Sequence, residues 1–284
     1  MATASEIRLG RFREGCPRQG RTIGGVAWSW FDSGGERPAL MLLDGGLGDG
    51  EAYFPLFEPL AGRARVLALG APPGVSRLSA AVEGLASVLD GLRIDRVHLF
   101  GHSQGGYLAQ SLLRARPERV ASLALSATCP PSARHARRIE GQIRLLRFVP
   151  DRLLRLAAAA RIRRIAAADL ARLPPDESRF WRDFLTAGLR GRDLRARFES
   201  TARLQLDYHR GRVFAREDLA AWPGRILVLT YGRDRLVDAK DAESLMAAYP
   251  SADHVDFPES GHLGLIVQAP EIARRLAGMI DERR

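Results

Sequence analysis

Lysine is almost missing from this 284-residue chain: Lys240 is the only one among 43 basic residues, and the rest are arginine. Codon usage in a GC-rich genome produces that bias, so it defines no function by itself. Cysteine is equally scarce. Cys16 and Cys129 stand far apart, in no C-x-x-C pair and no metal-ligand spacing, which excludes a disulfide framework or a cysteine-built metal site as the organising feature. No stretch approaches the roughly 18 uncharged apolar residues of a membrane span. Met1 to Arg13 carries Glu6, Arg8, Arg11 and Arg13 with no apolar run, unlike a signal peptide. No repeat of fixed period and no low-complexity segment stands out; the Ala157–Ala160 stretch reads as helix. These absences point to a cytoplasmic protein.

What is present suits one large α/β domain, or a core domain with an insertion: 46% of residues are hydrophobic and 27% charged. The net charge of +10 is unevenly spread. Between Ala133 and Arg212 there are 20 Arg against 9 Asp plus Glu, so this region holds the whole excess. A basic patch can attract nucleic acid, anionic lipid or an acidic substrate. No basic run with interleaved aromatics appears, and Phe180, Trp181 and Phe184 read as helix core, so neither nucleic acid nor a membrane is expected as a partner. Arginine at helical spacing near carboxylates is an ordinary solvated face. A small-molecule substrate is expected, and one or two of these arginines meeting an anionic group on it is the softer option. The oligomeric state stays open.

Along the chain, apolar patterns alternate between short continuous runs and helical spacing. Thr22–Phe31 reads as a strand, with Gly10–Cys16 as its hairpin partner. Ala39–Leu43, Arg65–Leu69, Arg96–Phe100, Val120–Leu125, Arg225–Thr230 and His254–Phe257 read as further strands. Such continuous runs suit a parallel sheet covered on both faces. Helical patterns lie around Phe54–Leu60, Leu78–Leu92, Gln104–Arg116 and Ala242–Tyr249, and Pro270 reads as the start of the last helix. From Pro130 to about Arg216 only helical patterns appear; Leu145, Phe148, Leu153, Leu154 and Leu156 form one of them. The β-α alternation implies a mostly parallel sheet with helices on both faces, interrupted by a helical insertion.

Gly101-His102-Ser103-Gln104-Gly105 follows a strand and opens a helix, the context of a nucleophile elbow. A serine on so sharp a turn leaves no room for side chains two residues either side, and glycine fills both places. The alternative is an incidental serine in a strand–turn–helix. A serine hydroxyl needs a base, and the base an orienting acid. Asp234 falls just past the Arg225–Thr230 strand and His262 just past the last one, in the chain order Ser, Asp, His. Asp238 and Asp241 are rivals for the acid, but Asp238 suits an N-cap better. His98, His102, His135, His209 and His254 read as structural or surface residues. The amide of Gln104, at the positive end of its helix, is one oxyanion donor. The glycine-rich stretch Asp44 to Gly50 offers a second, with the N–H of Gly46 favoured; a plain flexible loop is the bland alternative, and no phosphate-loop pattern fits.

On Gly101-His102-Ser103-Gln104-Gly105-Gly106, Gly232-Arg233-Asp234 and Gly261-His262 the chain resembles the α/β-hydrolase superfamily from about Thr22 to Ile280. The stretch Val97 to Gln110 is similar to the maspardin-like branch. The resemblance implies a core domain of residues 1–130 and 217–284 and a helical cap of residues 131–216. It also implies a Ser103–His262–Asp234 triad, with Gly46 and Gln104 as the oxyanion hole and no metal or organic cofactor. The implied reaction is hydrolysis of a carboxylic ester, thioester or lactone through an acyl-serine. The same triad also serves carbon–carbon bond hydrolysis and acyl transfer, and a non-catalytic scaffold binding a partner through the cap is the alternative from another class. Two departures stand out. Asp44 opens a loop that commonly begins His-Gly, and it is expected to turn from Ser103 and bond to backbone. Gly70 replaces the aspartate often found after the fourth strand.

Overall fold

The chain begins with a helix where the sequence pointed to a strand. The computed structural model describes residues 2–45, 50–191, 194–213, 216–219 and 221–281. In it α1 (Ala4–Gly15) is held by a capping box: Thr3 Oγ1 accepts the Glu6 amide at 3.1 Å, and the Glu6 carboxylate accepts the Thr3 amide at 2.6 Å. Leu9 and Phe12 share its buried face, and Phe12 meets Phe57 edge-on at 5.5 Å. That packing overrides the expected pairing of Gly10–Cys16. The hairpin lies one step on, between β1 (Arg18–Ile23) and antiparallel β2 (Val26–Asp32). Gly24 and Gly25, with φ of +57° and +77°, make the tight turn between them, so Thr22–Phe31 spans the end of β1, the turn and most of β2 rather than one strand.

The alternation then follows the sequence pattern: β3 (Ala39–Leu43), α2 (Phe54–Ala61), β4 (Arg65–Leu69), α3 (Leu78–Gly91), β5 (Val97–His102), α4 (Gln104–Ala115) and β6 (Val120–Ser126). Four helices come next, α5 (Ala133–Leu146), α6 (Asp151–Leu170), α7 (Pro175–Ala187) and α8 (Leu194–His209). The sheet resumes with β7 (Ile226–Tyr231), α9 (Ala239–Ala248), β8 (Asp253–Phe257) and α10 (Leu265–Asp281). Pro270 lies inside α10 instead of opening it.

Among the described residues, eight strands form one sheet in the order β1-β2-β4-β3-β5-β6-β7-β8. The β1–β2 and β2–β4 pairs are antiparallel and the other neighbours pair in parallel. β3 is apolar at every position because both its faces are covered. Leu40 and Leu42 enter the layer holding α1, α2 and α10, while Met41 and Leu43 enter the layer holding α3, α4 and α9.

The four helices between β6 and β7 have a small core of their own, Ala158, Ile162, Leu189 and Leu194. They join the sheet layers through stacked rings, Trp181 on Phe54 at 4.9 Å and Tyr208 on Tyr107 at 4.2 Å. The apolar pattern from Leu145 to Leu156 is not one helix. α5 ends at Leu146, α6 begins after Pro150, and of its five apolar members only Leu154 is buried.

Candidate active site

Parallel strands present their carboxyl ends on one edge of the sheet, and this edge gathers the residues singled out above. The chain leaves β3 toward β4 on one side and returns to β5 on the other, which opens a crevice between β3 and β5 where ligands bind in such sheets. Ser103 stands there, between β5 and α4, with φ 54° and ψ −121°, a strained backbone for a residue with a side chain. Two glycines make the turn physically possible. A Cβ on Gly105 would sit 1.8 Å from the Leu43 carbonyl oxygen, and one on Gly101 2.5 Å from the Gly105 carbonyl oxygen. Neither obstacle is a side chain that could move aside.

Ser103 Oγ lies 3.0 Å from His262 Nε2, and His262 Nδ1 lies 2.8 Å from Asp234 Oδ2. The structure therefore brings together three side chains that the sequence separates by up to 159 residues. Asp234 also accepts the amides of Leu236 and Val237 on Oδ1, at 2.7 and 3.0 Å, which fixes its carboxylate in the turn after β7. An imidazole held in this way can take a hydroxyl proton at Nε2 while the carboxylate stabilises the resulting cation. The rival carboxylates are occupied elsewhere: Asp238 caps α9, and Asp241 completes that capping box.

Gln104 is the first residue of α4, so its N–H is among those with no acceptor within the helix, and it adjoins Ser103 at the helix's positive end. On the opposite side, Gly45 would place a Cβ 3.4 Å from that of Ser103. Gly46, the second expected donor, lies outside the described residues. The Asp44 carboxylate accepts the backbone N–H of Gly50 at 3.2 Å, the backbone bond expected of it. Beneath, Tyr53 donates to the Leu43 carbonyl at 2.6 Å, and the Asp44 amide donates to Leu69 at 2.8 Å, so the loop's entry is pinned. A cleft of about 290 Å³ reaches Gly45 and Gln104 from the side of β2, with Arg18, Ser29, Arg197 and Ser200 on its walls.

The other five histidines bond away from Ser103. His98 meets Ser122, His254 meets Thr230, and His135 meets Asp241. His102 bonds Ser126 at 3.1 Å; burial, then the neighbouring His262, pushes it down to about 3, so it is neutral at ordinary pH. His209 stacks on His135 at 4.9 Å. Among the described residues, Cys129, His135 and Asp241 bring potential metal-ligand atoms within 4.8 Å of one another. Each already has a protein partner: Cys129 Sγ lies 3.6 Å from the Tyr107 hydroxyl, and His135 and Asp241 hold each other. Burial also pushes the Cys129 thiol up to about 12, against the thiolate that a metal needs.

One residue at the site escaped the sequence reading. Asp169, wholly buried near the end of α6, accepts the amide of Gly261 at 2.8 Å and that of Leu263 at 3.1 Å, the two amides flanking His262. Arg172, on the next turn, donates to Ser260 at 2.7 Å. Burial outweighs these partners and holds the Asp169 carboxyl above its usual range. A Cβ on Gly261 would meet Asp169 Oδ2 at 2.9 Å, so the glycine before His262 admits the carboxylate. That glycine was the available signal, but nothing in sequence links it to a residue 92 positions away.

The chain belongs to the α/β-hydrolase fold family, whose profile matches residues 38–269. Over 94% of its length it is 29% identical to the dihydrolipoyllysine-residue acetyltransferase component of the acetoin cleaving system of Pseudomonas putida, spanning 70% of that protein. The likeness to maspardin is present too: 37% identity with the Rattus norvegicus protein over 103 residues, 34% of this chain and 39% of that one. A hydrolase from Pseudomonas aeruginosa has the same fold, with a TM-score of 0.77 at 20% identity over 94% of this chain and 99% of that one.

Proposed function

We propose that the protein is a serine hydrolase cleaving a carboxylic ester, thioester or lactone through an acyl-Ser103 intermediate. The observation that carries this is the unbroken chain from Asp234 through His262 to the Ser103 hydroxyl, at 2.8 and 3.0 Å. In the reaction His262 Nε2 takes the hydroxyl proton as Oγ attacks the substrate carbonyl. Asp234 keeps the proton on Nδ1 and stabilises the imidazolium. The Gln104 amide, with Gly46 as its partner, receives the oxyanion. His262 then protonates the leaving group, and water, activated by the same imidazole, releases the acyl group. The α5–α8 insertion serves as the cap, and the cleft beside Gln104, where Arg18, Arg197 and Asp44 all stand, favours substrates with a polar end. No step calls for a metal or organic cofactor.

A fluorophosphonate probe tests the nucleophile: it labels the wild-type protein and leaves Ser103→Ala unmarked. Absence of labelling in folded wild-type protein defeats the proposal. Acyl transfer is the second reading, favoured by the Pseudomonas putida relative, which is named as an acetyltransferase component. Product analysis with an added thiol or alcohol acceptor separates it from hydrolysis.

A further inference from the structure

We propose that the turn joining α5 to α6 is a docking surface for an anionic membrane. Leu145, Phe148, Leu153 and Leu156 are exposed by 63, 71, 53 and 58%, four large apolar side chains within twelve residues. Single exposed apolar side chains are ordinary, but four large ones this close in sequence are rarely presented without a use. α6 is apolar on two faces. Leu154, Ala158, Ile162 and Ile165 pack inward, while Leu153, Leu156, Ala157 and Ala160 face out. The inward face suffices to hold the helix, so the outward leucines need another explanation.

The charge around the patch says what covers it. From Gly141 to Ala168 the chain has seven arginines and one carboxylate, Asp151, which is itself bridged by Arg195 at 2.6 Å. Arg147 lies 4.7 Å over the Phe148 ring, so cation and apolar group share one spot. Apolar side chains that enter the acyl boundary, beside arginines that reach phosphate headgroups, are the two components of interfacial membrane binding. A second copy of the chain would set these arginines against each other. The surface is distinct from spanning: no helix among the described residues is long and apolar enough to cross a membrane. The proposal departs from the expectation, drawn from the sequence, that no membrane is a partner.

The test is co-sedimentation of the full chain with vesicles of phosphatidylcholine alone, or with about a third phosphatidylglycerol. Binding is expected on the anionic vesicles only. It should weaken on the order of tenfold or more in Phe148→Ser/Leu153→Ser, and also in Arg147→Gln/Arg152→Gln and at high salt. Both apolar positions are more than half exposed, so the substitutions remove no core contact, and circular dichroism checks the fold. If the first variant unfolds, Leu156→Gln gives the same readout. Three results overturn the proposal. One is no binding. Another is binding untouched by the serine substitutions, which is a basic protein collecting on a charged surface. The third is a concentration-dependent dimer that those substitutions abolish, without vesicle binding.

Discussion

His262 meets Asp234 at 2.8 Å through Nδ1, and His135 meets Asp241 at 2.9 Å through Nε2. Both imidazoles are buried, and both pairs bridge segments distant in sequence. They differ in what the other ring nitrogen touches. For His262 it is the Ser103 hydroxyl; for His135 it is the Arg138 guanidinium, at 3.0 Å. A guanidinium only donates, so His135 Nδ1 is the acceptor and its Nε2–H points to Asp241. Asp241 in turn accepts from Arg134 at 2.7 Å and closes the capping box of α9. Burial raises the Asp241 carboxyl, but the bonds from His135 and Arg134 prevail and leave it below its ordinary range. An aspartate–histidine pair is thus a candidate base only where its remaining nitrogen meets a proton that can leave. The second pair fastens α5 to α9.

Exchanging the two histidines is the sharpest way to break that contrast. His262→Gln should lower turnover of an activated ester by about a thousandfold or more. His135→Gln should leave turnover within about threefold yet lower the unfolding free energy by about 2 kcal/mol, because it leaves Asp241 and Arg138 short of a buried partner. Steady-state assays and urea titrations of both proteins decide this, and equal losses of activity would erase the distinction. Asp169→Ala comes next. Freeing the amides on either side of His262 should reduce kcat by about ten- to a hundredfold, with KM changed less than about threefold and the acid limb of the pH profile displaced. A protein with lower stability but an unchanged kcat and pH profile would make Asp169 a fold residue only.

Each pair has a neutral companion. His102 lies 5.3 Å from His262, and His209 stacks on His135. Burial, followed by the neighbouring imidazole, pushes each from its ordinary 6.5 to about 3. The unfolded chain therefore binds these protons first as pH falls. Their contribution is complete above about 6.5 and is lost progressively toward 3. Stability should drop by about 2 kcal/mol per histidine between pH 7 and 5. Urea midpoints at the two pH values measure it, and His209→Gln should flatten the slope by one histidine's share.

The sheet was legible because continuous apolar runs such as Ala39–Leu43 require two covered faces. The order of Ser103, Asp234 and His262 was legible because each follows a strand. The N-terminal helix was missed although Thr3 and Glu6 form its capping box in plain sequence; Leu9 and Phe12 at helical spacing supplied the rest. The turn at Val149 and Pro150 was overlooked because leucines on either side continue a helical rhythm across it. Asp169 was hidden for a different reason. It sits in an alanine-rich helix as an unremarkable acid, and its partners are backbone amides, which leave no trace in residue types.

The backbone at Ser103 has one more consequence. With φ 54° and ψ −121° it occupies a region where a Cβ is a liability, held there by the packing of β3, β5 and α4. Replacing Ser103 with glycine removes the Cβ together with the hydroxyl proposed as the nucleophile. The inert variant should melt higher than the parent, by the equivalent of about 1 kcal/mol. Thermal unfolding of Ser103→Gly beside Ser103→Ala measures the difference. Durability and chemistry then compete at a single residue, and selection for heat resistance alone would favour losing the serine.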